Sequence, residues 1–258
     1  MSKFAKIVTV AVAAVLVVAV AGELLLRKFA GFCNAPLYYE SREYEYMVKP
    51  NQEGIRFGNR FYFNSYSQRS DEPDSTKTIV LGLGDSVIYG GVMIDQDSIA
   101  TSLFTKETGV QMLNISAGSW GPDNCAAYLE RYGLFGAKAM FLVVSSHDAH
   151  DNMNFEKVVG KSVSYPSGQY WCAWAELIDR YVIPRVFKSS SDSPDDKVLK
   201  GIRKDGKEFN PGFASLDSIA RKAGIPLIVY LHAEAGETAR GRYNEQGGRL
   251  LPGLRRAM

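Results

Sequence analysis

A short apolar run, residues 78–83, breaks off at Gly84-Asp85-Ser86 and is followed closely by Gly90-Gly91. No other feature restricts the fold as much. A strand that is apolar along its whole length is buried on both faces, as in parallel sheets covered by helices. Two further runs repeat the pattern. Residues 110–115 open onto Asn114-Ile-Ser-Ala-Gly-Ser-Trp-Gly-Pro-Asp-Asn124, and residues 139–144 open onto Ser145-Ser-His-Asp-Ala-His-Asp-Asn152. A fourth run, 225–231, follows a helix expected over 213–223 and ends at His232. Helices are also expected over 99–108 and 124–133, the latter with Pro122 suited to a first turn. Strands alternating with helices specify an α/β fold with a parallel sheet. The first three loops then converge on one sheet edge, beyond the carboxyl ends of the strands, where such sheets hold their reactive groups.

Ser86 is where a nucleophile would stand on that edge. Its backbone N–H lies near a helix start and could face an anion. The alternative is structural, with Asp85 or Ser86 merely capping the next helix.

The three loops, with Gly84-Asp85-Ser86 first, resemble the SGNH (GDSL-type) hydrolase family over residues 60–235. The resemblance implies a flavodoxin-like three-layer sandwich and a serine esterase or acyltransferase. It makes Ser86 the nucleophile, with the oxyanion held by its own N–H, by Gly118 or Ser119 of the second block, and by the third block. In the third block His147 stands where the family carries Asn. The stretch from Phe63 to Glu72, with Arg69, resembles the lead-in of membrane-anchored members associated with bacterial surface polysaccharides. The family also carries a C-terminal Asp-x-x-His that supplies the general base, which a serine needs at neutral pH. No such motif occurs here. Relative to the family, the sheet is expected to lack its last strand, the chain to be truncated or altered in frame, and activity to be weak or absent. The alternative is that His147, His150 or His232, the only histidines, replaces the base.

Crowded imidazoles and carboxylates between His147 and Asp151 are also metal-ligand types. No distant second set of ligands stands out, so the expectation is a loop with no metal and no cofactor.

At the N-terminus, Lys3 and Lys6 precede an uncharged stretch, 7–22, that is mostly Val and Ala. This is a targeting signal. Either Ala19-Val20-Ala21 offers a cleavage site, or the helix is kept as a signal anchor that reaches spanning length with residues 24–26. In both cases the body is expected outside the cytoplasm, periplasmic or extracellular. A net charge of +2 and the lack of a basic stripe set nucleic acid aside as a partner. The expected partners are the membrane and an acylated small molecule or carbohydrate. Cys33, Cys125 and Cys172 permit at most one internal pair, and Cys125–Cys172 is the one considered.

The chain divides into the hydrophobic segment (1–28), an aromatic-rich lead-in (29–76) expected to be largely irregular, and the α/β body (77–258). Within the lead-in, residues 57–64 are a candidate strand or hairpin arm. Residues 152–212 look like an insertion, with a helix over 175–187 and a Ser/Asp-rich, mobile stretch at 188–196. Tyr165, Tyr170, Trp171 and Trp174 are candidates for a substrate wall over the active edge. A non-catalytic glycan-binding accessory protein is the reading from a different class.

Overall fold

The structure is a computed structural model that describes residues 2–186, 204 and 206–250. The expected mobile stretch at 188–196 lies outside the described residues. The four apolar runs form strands β5 (Ile79–Gly84), β6 (Gln111–Ser116), β7 (Met140–Val144) and β8 (Leu227–Leu231). All pair in parallel, in the order β6-β5-β7-β8. The protein is thus α/β, built on a four-stranded parallel sheet. Every residue of β5 and β6 is buried, the polar Gln111, Asn114 and Ser116 of β6 included.

Helix α1 (Lys3–Leu25) is capped by Ser2 and runs on through a π-helical turn at Leu26–Ala30. Together they give an apolar helix over Lys3–Ala30, long enough to cross a membrane, with none of its most apolar stretch buried. The lead-in is more regular than expected. Strands β1 (Tyr38–Ser41) and β2 (Glu45–Val48) form one antiparallel hairpin, and β3 (Gln52–Arg56) and β4 (Asn59–Phe63) another. Phe57 and Gly58 turn the second hairpin, both with positive φ, as a two-residue turn matching strand twist demands. Tyr38, Tyr44, Tyr46, Phe61 and Phe63 are buried in the main core. Tyr44 meets Trp120 edge-on and lies against Tyr128.

Helices α2 (Ser86–Tyr89), α3 (Ala100–Thr108) and α4 (Pro122–Tyr132) follow their strands. Pro122 takes the first position of α4, where its missing N–H costs nothing, and the Asn124 side chain accepts from the Gly121 N–H. Asn114, fully buried on β6, donates to the Ile88 carbonyl and to Thr101, fastening α2 and α3 to the sheet. The expected helix after residue 212 is α7 (Gly212–Ala223), preceded in the chain by α5 (Ala173–Leu177) and α6 (Ile183–Val186), with a π-helical turn between those two. Helix α8 (Ala235–Arg240) follows β8.

The segment carrying α5 is drawn to α1. The Glu23 carboxylate accepts from the Ala173 and Trp174 N–H groups at 2.9 and 3.2 Å, capping α5 from another helix. The Trp174 indole donates to the Ala19 carbonyl, and its ring leaves so little room that a Cβ on Gly22 would lie 2.1 Å away. The expected substrate wall is therefore not built as one surface. Trp174 lies on α1, Trp171 is exposed, Tyr170 bonds Asp179, and only Tyr165 turns into the core. The cause is Glu23, which offers the start of α5 an acceptor that the strand edge does not. Cys33, Cys125 and Cys172 are all free thiols, so the considered Cys125–Cys172 pair does not form.

A buried ion pair joins the second hairpin to α5: Arg56 Nη2 lies 2.5 Å from Glu176 Oε1, with both side chains almost wholly buried. The guanidinium also covers the Phe57 ring. Removing Arg56 leaves the buried Glu176 carboxylate, among the described residues, with only Arg180, at 3.6 Å, and the Cys33 N–H. Arg56→Ala is therefore expected to cost about 3–5 kcal/mol, whereas Arg56→Met combined with Glu176→Leu should restore most of that loss. Urea denaturation of the full chain in detergent micelles checks this, and equal losses in both variants would refute it.

Candidate functional site

The parallel register sets the strand edge. Gly84 is level with Ser116 on β6 and with Val143 on β7. Ser86, Gly118 and Ser145 each stand two residues beyond that line. Gly84 has φ of +151°, and a Cβ there would come 2.4 Å from the Val143 carbonyl oxygen, so only glycine lets β5 end where it does. The next residue, Asp85, is buried and caps α2 through the Val87 N–H at 2.8 Å. Ser86 opens the helix. Its side chain is exposed and makes no hydrogen bond among the described residues.

On β6's loop, Ser119 has a left-handed φ of +58°. The Gly118 carbonyl accepts from the hydroxyls of Tyr46 (2.8 Å) and Tyr165 (2.9 Å). A trans peptide points its N–H opposite its C=O. The two tyrosines thus turn the Ser119 N–H away from themselves, and that N–H has no partner among the described residues.

Past β7 the chain makes a 3-10 turn, Ser146–Ala149, that carries His147 and Asp148. His147 Nε2 faces three carboxylates: Asp85 at 3.7 Å, Asp148 at 3.8 Å and Asp151 at 4.0 Å. Its Nδ1 lies 2.9 Å from Glu234 Oε1, at the start of α8. Asp85 chiefly, with help from Asp148, Glu234 and Asp151 and against the opposing effect of burial, raises the imidazole pKa to about 10. His147 is thus an imidazolium at neutral pH, with Nδ1 donating to Glu234 and Nε2 facing the aspartates beyond hydrogen-bond distance. Burial pushes the Asp148 carboxyl well up, with Asp85 adding to the rise, and raises Asp151 to about 6. Asp148 Oδ2 accepts from the Ser145 N–H at 2.6 Å, while Asp148 Oδ1 is buried without a hydrogen-bond donor.

The other histidines stand apart from this cluster. His150 directs Nδ1 to the Glu208 carbonyl at 3.0 Å, and His232 continues the ladder of β8 through its backbone, donating to Val144 O at 2.7 Å. The fold adds Asp85, Glu234 and Glu237 to the site and gives Arg69 a structural role. Asp85 was treated only as a cap, although the sheet order brings it to His147. Glu234 and Glu237 lie beyond the last strand, Glu237 accepting from Ser146 Oγ at 2.6 Å. Arg69 is buried and holds the loop after α2, donating to the carbonyls of Tyr89 (2.8 Å), Gly91 and Ile94 (2.7 Å). Of these, Arg69 was the most findable, since a lone Arg before a buried strand has to satisfy five donors.

A cavity of about 470 Å³ lies elsewhere, between Tyr89, Val92 and Met93 on one side and Arg180 and Tyr181 on the other. None of Ser86, Gly118, Ser119 or His147 lines it. Comparison with models of known protein families and with curated proteins finds no match to this chain. The site is therefore read from its own geometry.

The raised pKa of His147 has a definite sign. The ring binds its proton more tightly in the folded protein than at its ordinary value of 6.5. Its contribution to stability is complete below that value and is lost as the pH climbs through about 10. The ring is 46% exposed, so solvent screens the effect and its size is modest. In chelator-treated protein, NMR titration of the His147 ring nitrogens should show the imidazolium well above neutrality. Titration near the ordinary value would contradict the arrangement described.

Proposed function

We propose that this chain is an exported, membrane-anchored protein of SGNH type whose strand edge acts on acyl esters, most naturally those carried by carbohydrate. The observation that carries the reading is Ser86: an exposed, unengaged hydroxyl in the first turn of α2, directly past the central strand of the sheet. The strand order agrees with a flavodoxin-like sandwich, whose ligands sit where the order reverses, here between β5 and β7. The exposed apolar helix at the N-terminus fits an anchor, and its contacts with Trp174 favour retention over cleavage. On this reading the α/β body lies outside the cytoplasm.

In the proposed reaction Ser86 Oγ attacks the ester carbonyl, forming a C–O bond as the carbonyl π electrons move onto oxygen. The free N–H groups of Ser86 and Ser119, with that of Gly118, receive the oxyanion, each donor contributing about 2–4 kcal/mol. His147 adds a positive charge beside it. The C–O bond to the sugar then breaks, the sugar oxygen taking a proton in exchange for the one Ser86 gives to solvent, and water or an acceptor hydroxyl takes the acyl group while its own proton returns to Ser86. The Ser86 proton is the weak point. An imidazolium cannot accept it, and among the described residues neither His150 nor His232 is oriented by a carboxylate as a base ordinarily is. Turnover is accordingly expected to be slow.

That same imidazolium favours a second reading, in which the edge binds an acylated glycan without cleaving it. A fluorophosphonate probe applied to the full chain in micelles separates the two. Slow labelling that disappears in Ser86→Ala supports the hydrolase. No labelling of folded protein, with glycan binding retained in Ser86→Ala, favours the binding protein.

A further inference from the structure

We infer that Asp85, His147 and Asp148 form a binding site for one divalent first-row transition ion, of the zinc or manganese kind. Each supplies one ligating atom, and these atoms lie within 4.8 Å of one another. The set is assembled by the sheet, since Asp85 ends β5 while His147 and Asp148 leave the adjacent β7.

Three observations point the same way. The first is spacing. Tetrahedral bonds of about 2.1 Å separate neighbouring ligands by about 3.4 Å. His147 Nε2 stands 3.7 Å from Asp85 and 3.8 Å from Asp148, so each of these pairs needs a contraction of only a few tenths of an ångström, and the two carboxylates lie within 4.8 Å of each other. The second is Asp148 Oδ1. Asp148 is 1% exposed, and this oxygen, aimed at His147, has no hydrogen-bond donor. A buried acceptor left unsatisfied is costly, and a cation removes that cost. The third is Glu234, 2.9 Å from His147 Nδ1. A carboxylate on the far nitrogen fixes the ring and leaves Nε2 for the metal, the usual support for a ligating histidine.

Ligand type narrows the ion. One imidazole and two carboxylates suit zinc, manganese or iron better than magnesium or calcium, which prefer oxygen alone. Three protein ligands leave a position open, and the half-exposed His147 gives solvent access to it. Coordination requires the Nε2 proton to leave, and the cation then balances Asp85, Asp148 and Asp151 in its place.

The test is binding, so it stands or falls independently of ester chemistry at Ser86. Chelator-treated full chain in micelles is titrated with zinc chloride and, separately, manganese and magnesium chloride by calorimetry. The expected result is one ion per chain, with zinc and manganese far ahead of magnesium. Asp148→Asn and His147→Gln should each weaken manganese binding by at least about tenfold, and Glu234→Gln by about 10–100-fold. Asp148→Asn also relieves the buried acid, so its metal-free melting temperature should not fall, which guards against loss of fold. No saturable binding tighter than about 100 μM, binding led by magnesium, or manganese affinity unchanged in the variants would overturn the inference. Zinc binding that survives in the variants without a manganese counterpart belongs to the free thiols and would also overturn it.

Discussion

The architecture rests on β5 being central and flanked in parallel on both sides. Its hydrogen bonds to β6 and β7 put three chain segments in one register, so the loops after them begin from a common line. The strand can be central because no position carries a charge, and because Gly82 and Gly84 leave room on the face where Ile88 and Thr101 approach. Bulk at either glycine would push α2 off the sheet and move Ser86 with it. The edge is thus an outcome of strand packing, and the side chains displayed there inherit its geometry.

That edge is expensive to maintain. Asp85, Asp148 and Asp151 are all buried close together, an arrangement that repels itself and loses solvation. His147 is the cation they share. It offsets part of their charge and, in doing so, gives up the neutral form that proton abstraction requires. On the proposed reading, the charge that steadies the loop after β7 would therefore slow acyl transfer at Ser86. A bound metal ion would change that balance by taking over the same three carboxylates.

The sheet was legible because its strands are short, mostly apolar runs, unbroken in β5, which is buried on both faces. β5, β6, β7 and β8 begin and end within one or two residues of those runs. The hairpins were harder to see. Both β2 and the core-facing part of β1 are so thoroughly buried under aromatic neighbours that no alternation of apolar and polar residues marks them. Ser86 could be found from local sequence. The partnership of Asp85 with His147 could not, since the two are 62 positions apart and meet only through the order of strands. The same holds for Glu234, which reaches His147 because β8 adds beside β7. The fate of the insertion was not legible because its partner, Glu23, lies inside the apolar N-terminal helix and caps α5 from there.

Glu23 and Trp174 also decide how the body is carried. A domain on a slack tether samples a hemisphere whose radius is its linker. Here α1 continues through its π-helical turn to Gly31, and is clamped a second time by α5, so no slack segment separates helix from body. With α1 in a bilayer, the strand edge would stay at one height and one tilt, gliding parallel to the lipid surface. Its encounters would then be a two-dimensional search, confined to molecules that present themselves within a thin layer at that fixed height.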